Sequence, residues 1–276
     1  MRPPSAAGIV SGGSARLLLL GNLLAPPFRG PMLVAGAALV VVSTFDVHAS
    51  LPLFCGDADH LPLGAIVAGL QFLIATNPPA TLVLAWLAML VAMMMPLVAL
   101  PLSHVGASSL AARQGRAAAG FLLGYFGVWV LSGVPLLAIA FTLRLLGGSA
   151  LAALLIAFPI ALLWSASPFQ QAAQNRAHRL RRIGLFGLAA DRDCIAFGAA
   201  LGGWCLVSCW AWMLVPLFVS HGHIPAMLAV SAIVMAERLR GPGVLRWRAP
   251  IIFASAHAWL QSHLVRRRRE GASGHV

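Results

Sequence analysis

Charged residues are scarce in this sequence. Only 9% of the 276 residues are charged, whereas about 25% are charged in a soluble globular domain. Lysine is absent, so all 19 basic residues are arginine. These arginines lie between apolar runs instead of along one amphipathic surface, which argues against a nucleic-acid partner despite a pI of about 11.7. The composition therefore excludes an ordinary soluble domain.

Cysteine is scarce as well. The four cysteines, at positions 55, 194, 205 and 209, are too few for a disulfide framework. The sequence also has no phosphate-binding loop, dinucleotide-binding turn or HExxH motif. Its serines have no evident His or Asp partners for hydrolysis. We therefore predict a binding protein, not an enzyme.

Long apolar runs are what the sequence has instead. Hydrophobic residues make up 60% of the chain and the mean hydropathy is +0.87. A membrane span needs about 20 mostly apolar residues, and lipid tolerates little besides helices and closed barrels. We predict an all-α, polytopic transmembrane bundle of about six spans within residues 31–240. The predicted spans are 31–46, 80–102, 118–143, 148–166, 196–219 and 224–239.

The remaining segments are interpreted from their charge and length. Residues 1–30 are predicted to be a cytoplasmic leader, and 241–276 a basic C-terminal segment. The apolar stretches 61–75 and 249–264 are interpreted as interfacial helices, although either one can instead be a span.

Arginine is distributed asymmetrically between the two sides of this layout. With the N-terminus inside, eighteen arginines fall in inner segments and only Arg144 falls outside. Cytoplasmic loops carry such an excess of basic residues. The pattern predicts a bacterial inner membrane protein with both termini in the cytoplasm and the lipid bilayer as its main partner.

The second predicted span carries an unusual run of methionines. Met89 and Met93 are four residues apart, so they share a helical face. Met94 follows directly, and His104 lies near the cytoplasmic end of the same span. One or two buried methionines usually fill gaps in packing, but thioethers are also ligands for soft metals.

The fifth predicted span carries a stripe of sulfur atoms. Cys205, Cys209 and Met213 recur every four residues and therefore line one face of a helix. Cysteine in an apolar helix is most often a small buried hydrophobic residue. Three sulfur side chains in register, however, are the soft ligands that suit Cu(I). The stripe therefore predicts that the protein binds copper, either as a cofactor or as cargo.

The two sulfur groups are predicted to lie at the same depth. At 1.5 Å per residue, Met89 and Met93 lie about 20 and 13 Å from the cytoplasmic surface, as do Cys209 and Cys205. Small residues on both spans, including Gly202 and Gly203, would let the backbones approach closely. We expect the second and fifth spans to pack together around one shared metal ion.

At these clusters the sequence resembles the family known as domain of unknown function 2182 (DUF2182), described as predicted metal-binding integral membrane proteins. The resemblance covers most of residues 80–240 and implies a helical membrane protein that binds metal. Its most specific segments are Met-Met-Pro and Cys-Trp-x-x-Met. The matching positions include Trp86, Met89, Met93, Met94, Pro96, Tyr125, Trp129, Ser167, Pro168, Gln170, Gln171, Asn175, His178, Cys205, Cys209, Met213 and Glu237.

The chain departs from that family pattern after the Ser-Pro pair. Where relatives carry two cysteines, this sequence has Ala173 and Ala177. The resemblance implies that a metal-delivery station there is lost or is replaced by His178. Glu237, beside Arg238, is either a functional carboxylate or part of a salt bridge at the membrane surface.

The sequence thus favours a membrane protein that binds Cu(I) and handles copper, delivering it to a cuproenzyme or exchanging it with a periplasmic metal carrier. Two alternatives stay open. The first is a membrane thiol-disulfide oxidoreductase that uses Cys205 and Cys209, although successive helical turns hold thiols farther apart than disulfides prefer. The second is a metal-free scaffold or assembly subunit. The predicted metal-ligand set is Cys205, Cys209, Met89, Met93, Met213, Met94 and His104.

Overall fold

The computed structural model describes residues 27–44, 79–219 and 222–253. Throughout these ranges the regular structure is helical. Most of the predicted leader, the predicted interfacial helix 61–75 and most of the predicted helix 249–264 lie outside the described residues, as does Cys55.

Eight α-helices follow one another along the described chain, and we number them in order. Two short 3-10 helices, Met95–Val98 and Ala111–Arg113, lie between some of them. The first of these contains Pro96, which has no amide hydrogen for the preceding helical ladder. The helices are α1 Arg29–Thr44, α2 Pro79–Met94, α3 Ala99–Ala107, α4 Gln114–Gly147, α5 Ala150–Ala166, α6 Pro168–Ala177, α7 Gly187–Leu217 and α8 His223–Leu239.

Three stretches of the described chain are long and apolar enough to cross a membrane: Val83–Ala107, Ala111–Arg144 and Gly187–Leu217. The pair α5 and α6 is bent by 65° and makes a fourth if it is one broken span. The sequence predicted six spans, so that number is too high for the described residues. The all-helical class and its compatibility with a membrane are confirmed.

Helix length explains the difference. Helix α1 has 16 residues and α8 has 17, which at 1.5 Å per residue gives about 24–26 Å. The hydrocarbon core of a bilayer is about 30 Å thick. The apolar stretches 31–46 and 224–239 were predicted as spans although each has only 16 residues, fewer than the about 20 that a span needs.

Several ion pairs and hydrogen bonds identify one end of the bundle. Arg113, at the start of α4, bonds the carbonyl oxygens of Leu185 and Gly187 and pairs with Asp191 at 2.6 Å. Arg116 also pairs with Asp191 at 2.6 Å. The starts of α4 and α7 therefore lie at the same end, so α5, α6 and the following loop must return the chain along the bundle.

The same end collects most of the arginines in the described ranges. His178, after α6, contacts the carbonyl oxygen of Arg238 through Nε2 at 3.1 Å, and Asn175 bonds the backbone of Gly243. The loops around 176–192 and 238–248 are thereby held together, and we call this the arginine end. Arg144, near the end of α4, lies at the opposite end.

Glycines bring α4 and α7 into the closest helix contact of the bundle. A Cβ atom built on Gly198 would lie 2.0 Å from the carbonyl oxygen of Phe121, and one on Gly124 would lie 2.2 Å from that of Ile195. A Cβ on Gly202 would lie 2.8 Å from the carbonyl oxygen of Tyr125. Small residues allow such backbone approach within membranes. This packing fixes the register between Tyr125 and the α7 cysteines.

Candidate metal centre

Two buried thiols lie next to each other on α7. Cys205 and Cys209 are 2% and 1% exposed, and their sulfur atoms are 4.0 Å apart. The Cys209 thiol donates to the carbonyl oxygen of Cys205 at 2.9 Å, as expected for residues one helical turn apart. Both are free thiols, and so is Cys194 nearer the start of the helix.

A tyrosine from α4 completes the immediate surroundings of the thiols. The Tyr125 hydroxyl donates to the Cys205 sulfur at 3.1 Å, and Tyr125 itself is buried. Its ring stacks near Phe121 and meets Phe126 edge-on. Tyr125 is the only tyrosine in the chain. Position 125 matches the resembled family, but the sequence does not predict Tyr125 as part of the site, because nothing in the spacing links positions 125 and 205.

The predicted thioether ligands are buried in the same hydrophobic core as the thiols. This core contains Met89, Met93, Met94 and Met213, each at most 6% exposed. The Met93 carbonyl oxygen accepts a bond from Ser231 of α8 at 3.0 Å. Met213 follows Cys209 by one turn of α7, so these two residues share a helical face.

The helix contacts around these sulfur groups differ from those predicted. Instead of packing mainly against α2, helix α7 packs against α4, α5, α6 and α8. Helices α4 and α8 each contact both α2 and α7 and so connect them. Trp86 of α2 donates to the carbonyl oxygen of Trp129 of α4 at 3.2 Å. Gly202 faces α4, and Gly203 faces open space, which explains why the expected partner was wrong.

His104 lies away from the thiols, at the arginine end. Its Nε2 is 3.0 Å from the carbonyl oxygen of Arg181, and its ring meets that of Phe197 edge-on. Within residues 27–44, 79–219 and 222–253, no three or more side chains of His, Cys, Asp or Glu form a group that could hold a metal ion. A metal ion in this bundle would therefore need the two thiols as ligands, together with ligands of another type such as methionine thioethers.

A second buried polar group lies at the level of the thiols. Glu237 is 4% exposed and accepts hydrogen bonds from Ser165 and from the Gln170 amide, the latter at 2.9 Å. Trp164, the residue before Ser165, donates to the carbonyl oxygen of Val207, which lies between the two cysteines on α7, so Glu237 lies at the level of the thiols. From sequence, Glu237 could be a functional carboxylate or part of a salt bridge at the membrane surface. The structure shows a buried carboxyl bonded to neutral groups instead of a surface salt bridge.

The fold and these residues define a helical, membrane-compatible bundle with a buried dithiol. A family model for a copper chaperone, PpoB2, matches residues 83–260. The chain therefore belongs to this copper chaperone family. The matched range covers the helices that carry the methionines, Tyr125, the thiols and Glu237.

The comparison supports a copper-related family, whereas the DUF2182 designation suggested by the sequence is not confirmed. No curated protein and no solved structure matches the chain.

Proposed function

We propose that this protein is a membrane-embedded copper chaperone that holds Cu(I) between Cys205 and Cys209 and passes it to another copper protein. The adjacent buried thiols support this function most directly. Two metal–sulfur bonds of about 2.3 Å reach up to about 4.6 Å in total, so a sulfur–sulfur distance of 4.0 Å lets one ion contact both. Thiolates and thioethers suit Cu(I).

The same distance leaves room for a third ligand. Bonds of about 2.3 Å across 4.0 Å make a bent angle of about 120° at the metal, which leaves one side of the ion open. Met213 is on the cysteine face, and the core also contains Met89, Met93 and Met94. We propose a methionine thioether there, with Met213 as the first choice. His104 is the weakest member of the predicted set because its contacts lie at the arginine end.

Copper is cargo in this proposal, and the protein binds it without catalysing a reaction. A cuproenzyme or a periplasmic metal carrier would receive the ion. The rival oxidoreductase would need a disulfide between Cys205 and Cys209, which would have to close their 4.0 Å separation to about 2 Å along one helix. Copper binding requires no such change in the backbone.

We further propose that the arginine end faces the cytoplasm of a bacterial inner membrane, as the excess of arginine in inner loops suggests. Reporter fusions after residues 115 and 185 should then report inside, and a fusion after residue 222 should report outside. A fusion after residue 270 should report inside, because α8, although shorter than a typical span, returns the chain to the arginine end. The fusion at 185 tests whether α5 and α6 together form one broken span. An outside signal there would contradict the proposed crossing.

Replacing Tyr125 with Phe tests the role of its hydroxyl. The Tyr125→Phe variant keeps the ring packed against Phe121 but loses the bond to the Cys205 sulfur. Because hydrogen bonds to charged groups contribute about 1.5–3 kcal/mol, we expect Cu(I) affinity to fall at least about tenfold. Competition with a Cu(I) chelator measures this. Unchanged affinity would show that the hydroxyl does not support a copper-bound thiolate.

A further inference from the structure

Helix α6 carries a row of glutamines into the interior of the bundle. Gln170, Gln171 and Gln174 are at most 3% exposed, although burying amides in an apolar core costs free energy. Ser167 begins the helix by accepting the amide of Gln170 at 3.2 Å, and Pro168 occupies its first turn. These residues produce the bend after α5 and direct a polar helix inward.

The glutamine oxygens at this place have unused hydrogen-bonding capacity. The Oε1 atoms of Gln170, Gln171 and Gln174 are buried and have no hydrogen-bond partner within the ranges that the structure describes. An amide oxygen only accepts hydrogen bonds, so each of these atoms requires a donor. Water molecules or a protonated acid supply such donors.

Glu237 is the acid beside these glutamines, since it accepts a hydrogen bond from the Gln170 amide. Arg240 and Arg248 are its charged neighbours and Arg238 follows it in the chain, yet within the described ranges none of the three forms an ion pair with it. Arg238 bonds the carbonyl oxygen of Ala177 instead. The Glu237 carboxyl is therefore held by neutral donors, an arrangement that permits both its ionised and its protonated form.

Polar side chains recur at each helical turn between Glu237 and the arginine end. Gln170, which bonds Glu237, is followed at four-residue intervals by Gln174 and His178, so the three share one side of α6 and its end. The His178 Nδ1 is 2.8 Å from the carbonyl oxygen of Gln174. Carboxylates and histidines in such rows form proton relays within membranes.

We propose that Glu237 is a proton-binding site that accepts the proton displaced from a thiol when Cu(I) binds to it. This inference rests on the proposed copper function. As the ion binds, the S–H bond breaks and an S–Cu bond forms, while the proton forms an O–H bond on the Glu237 carboxylate. Copper remains Cu(I) throughout. The row of Gln174 and His178 then connects Glu237 with the arginine end.

The test counts the protons that the full-length protein releases in detergent at neutral pH as it binds Cu(I) under reducing conditions. The Glu237→Gln variant keeps a side chain of similar shape but cannot bind the proton. We expect it to release about one more proton per Cu(I) than the natural sequence. Asp193→Asn is the control, because Asp193 is an exposed carboxylate that accepts the Gly184 amide.

Infrared difference spectra provide a second measurement that does not depend on copper affinity. Binding of Cu(I) should produce the carbonyl band of a protonated carboxyl, which should persist in Asp193→Asn and disappear in Glu237→Gln. If Glu237→Gln bound copper, released as many protons as the natural protein and showed the same infrared bands, the proton site alone would be overturned. Failure of the natural protein to bind Cu(I) would overturn the copper function and, with it, this inference.

Discussion

Replacing both Cys205 and Cys209 with Ser should abolish specific Cu(I) binding. The double substitution leaves two hydroxyl groups of similar size where the adjacent sulfur atoms lie. Hydroxyl oxygen is a poor ligand for Cu(I) compared with thiolate sulfur. Loss of groups that only support a metal's ligands already costs about 10–100-fold in affinity. We therefore expect a loss of at least about 100-fold in a chelator competition assay.

Cys194→Ser is the matched control for this experiment. Cys194 is buried on the same helix, but it precedes Cys205 by eleven residues, or about 16 Å along α7. Its substitution should leave Cu(I) affinity unchanged. Equal copper affinity in the double variant and the natural protein would exclude the dithiol as the site. A Cys205–Cys209 disulfide recovered from fresh membranes by alkylation and mass spectrometry would favour the oxidoreductase instead.

Replacing Gly198 with Ala should strongly destabilise the bundle. The new Cβ would lie 2.0 Å from the carbonyl oxygen of Phe121, so α4 and α7 would have to separate. Overpacking within well-packed cores costs about 1–3 kcal/mol, and here the obstacle is backbone, which cannot rotate away. We expect about 3 kcal/mol of lost stability, measured as the free energy of unfolding in detergent.

Gly203→Ala provides the comparison on the same helix. A Cβ at Gly203 meets nothing within 4 Å, and Ala favours a helix over Gly by about 1 kcal/mol. This variant should be as stable as the natural protein or slightly more stable. Equal free energies of unfolding for Gly198→Ala and Gly203→Ala would contradict the close packing of α4 on α7 through Gly198.

Sequence patterns predicted the helical class and the residues on each helical face. The four-residue spacing of Cys205, Cys209 and Met213 follows from helix geometry alone, and all three are buried. The number of spans was overestimated because the apolar stretches 31–46 and 224–239 form helices shorter than a bilayer core. Hydropathy also does not mark where a helix bends. The bend between α5 and α6, for example, depends on Ser167 capping a new helix beside Pro168.

Contacts between helices were harder to predict. Gly202 was expected to admit α2, but it faces Tyr125 of α4. A small residue shows that some backbone comes close without specifying which one. The bond from Tyr125 to Cys205 joins residues 80 positions apart, and that from Gln170 to Glu237 joins residues 67 apart. Such pairs depend on the register of packed helices, which a single sequence does not determine.

Elemental analysis of the purified protein tests the copper function most directly. Protein produced with added copper and purified under reducing conditions should contain about one copper ion per chain, and the Cys205→Ser/Cys209→Ser double variant should contain almost none. We expect the Cys194→Ser variant to retain its copper. Natural protein free of copper, or equal copper in the natural protein and the double variant, would contradict the proposal that the α7 dithiol carries Cu(I).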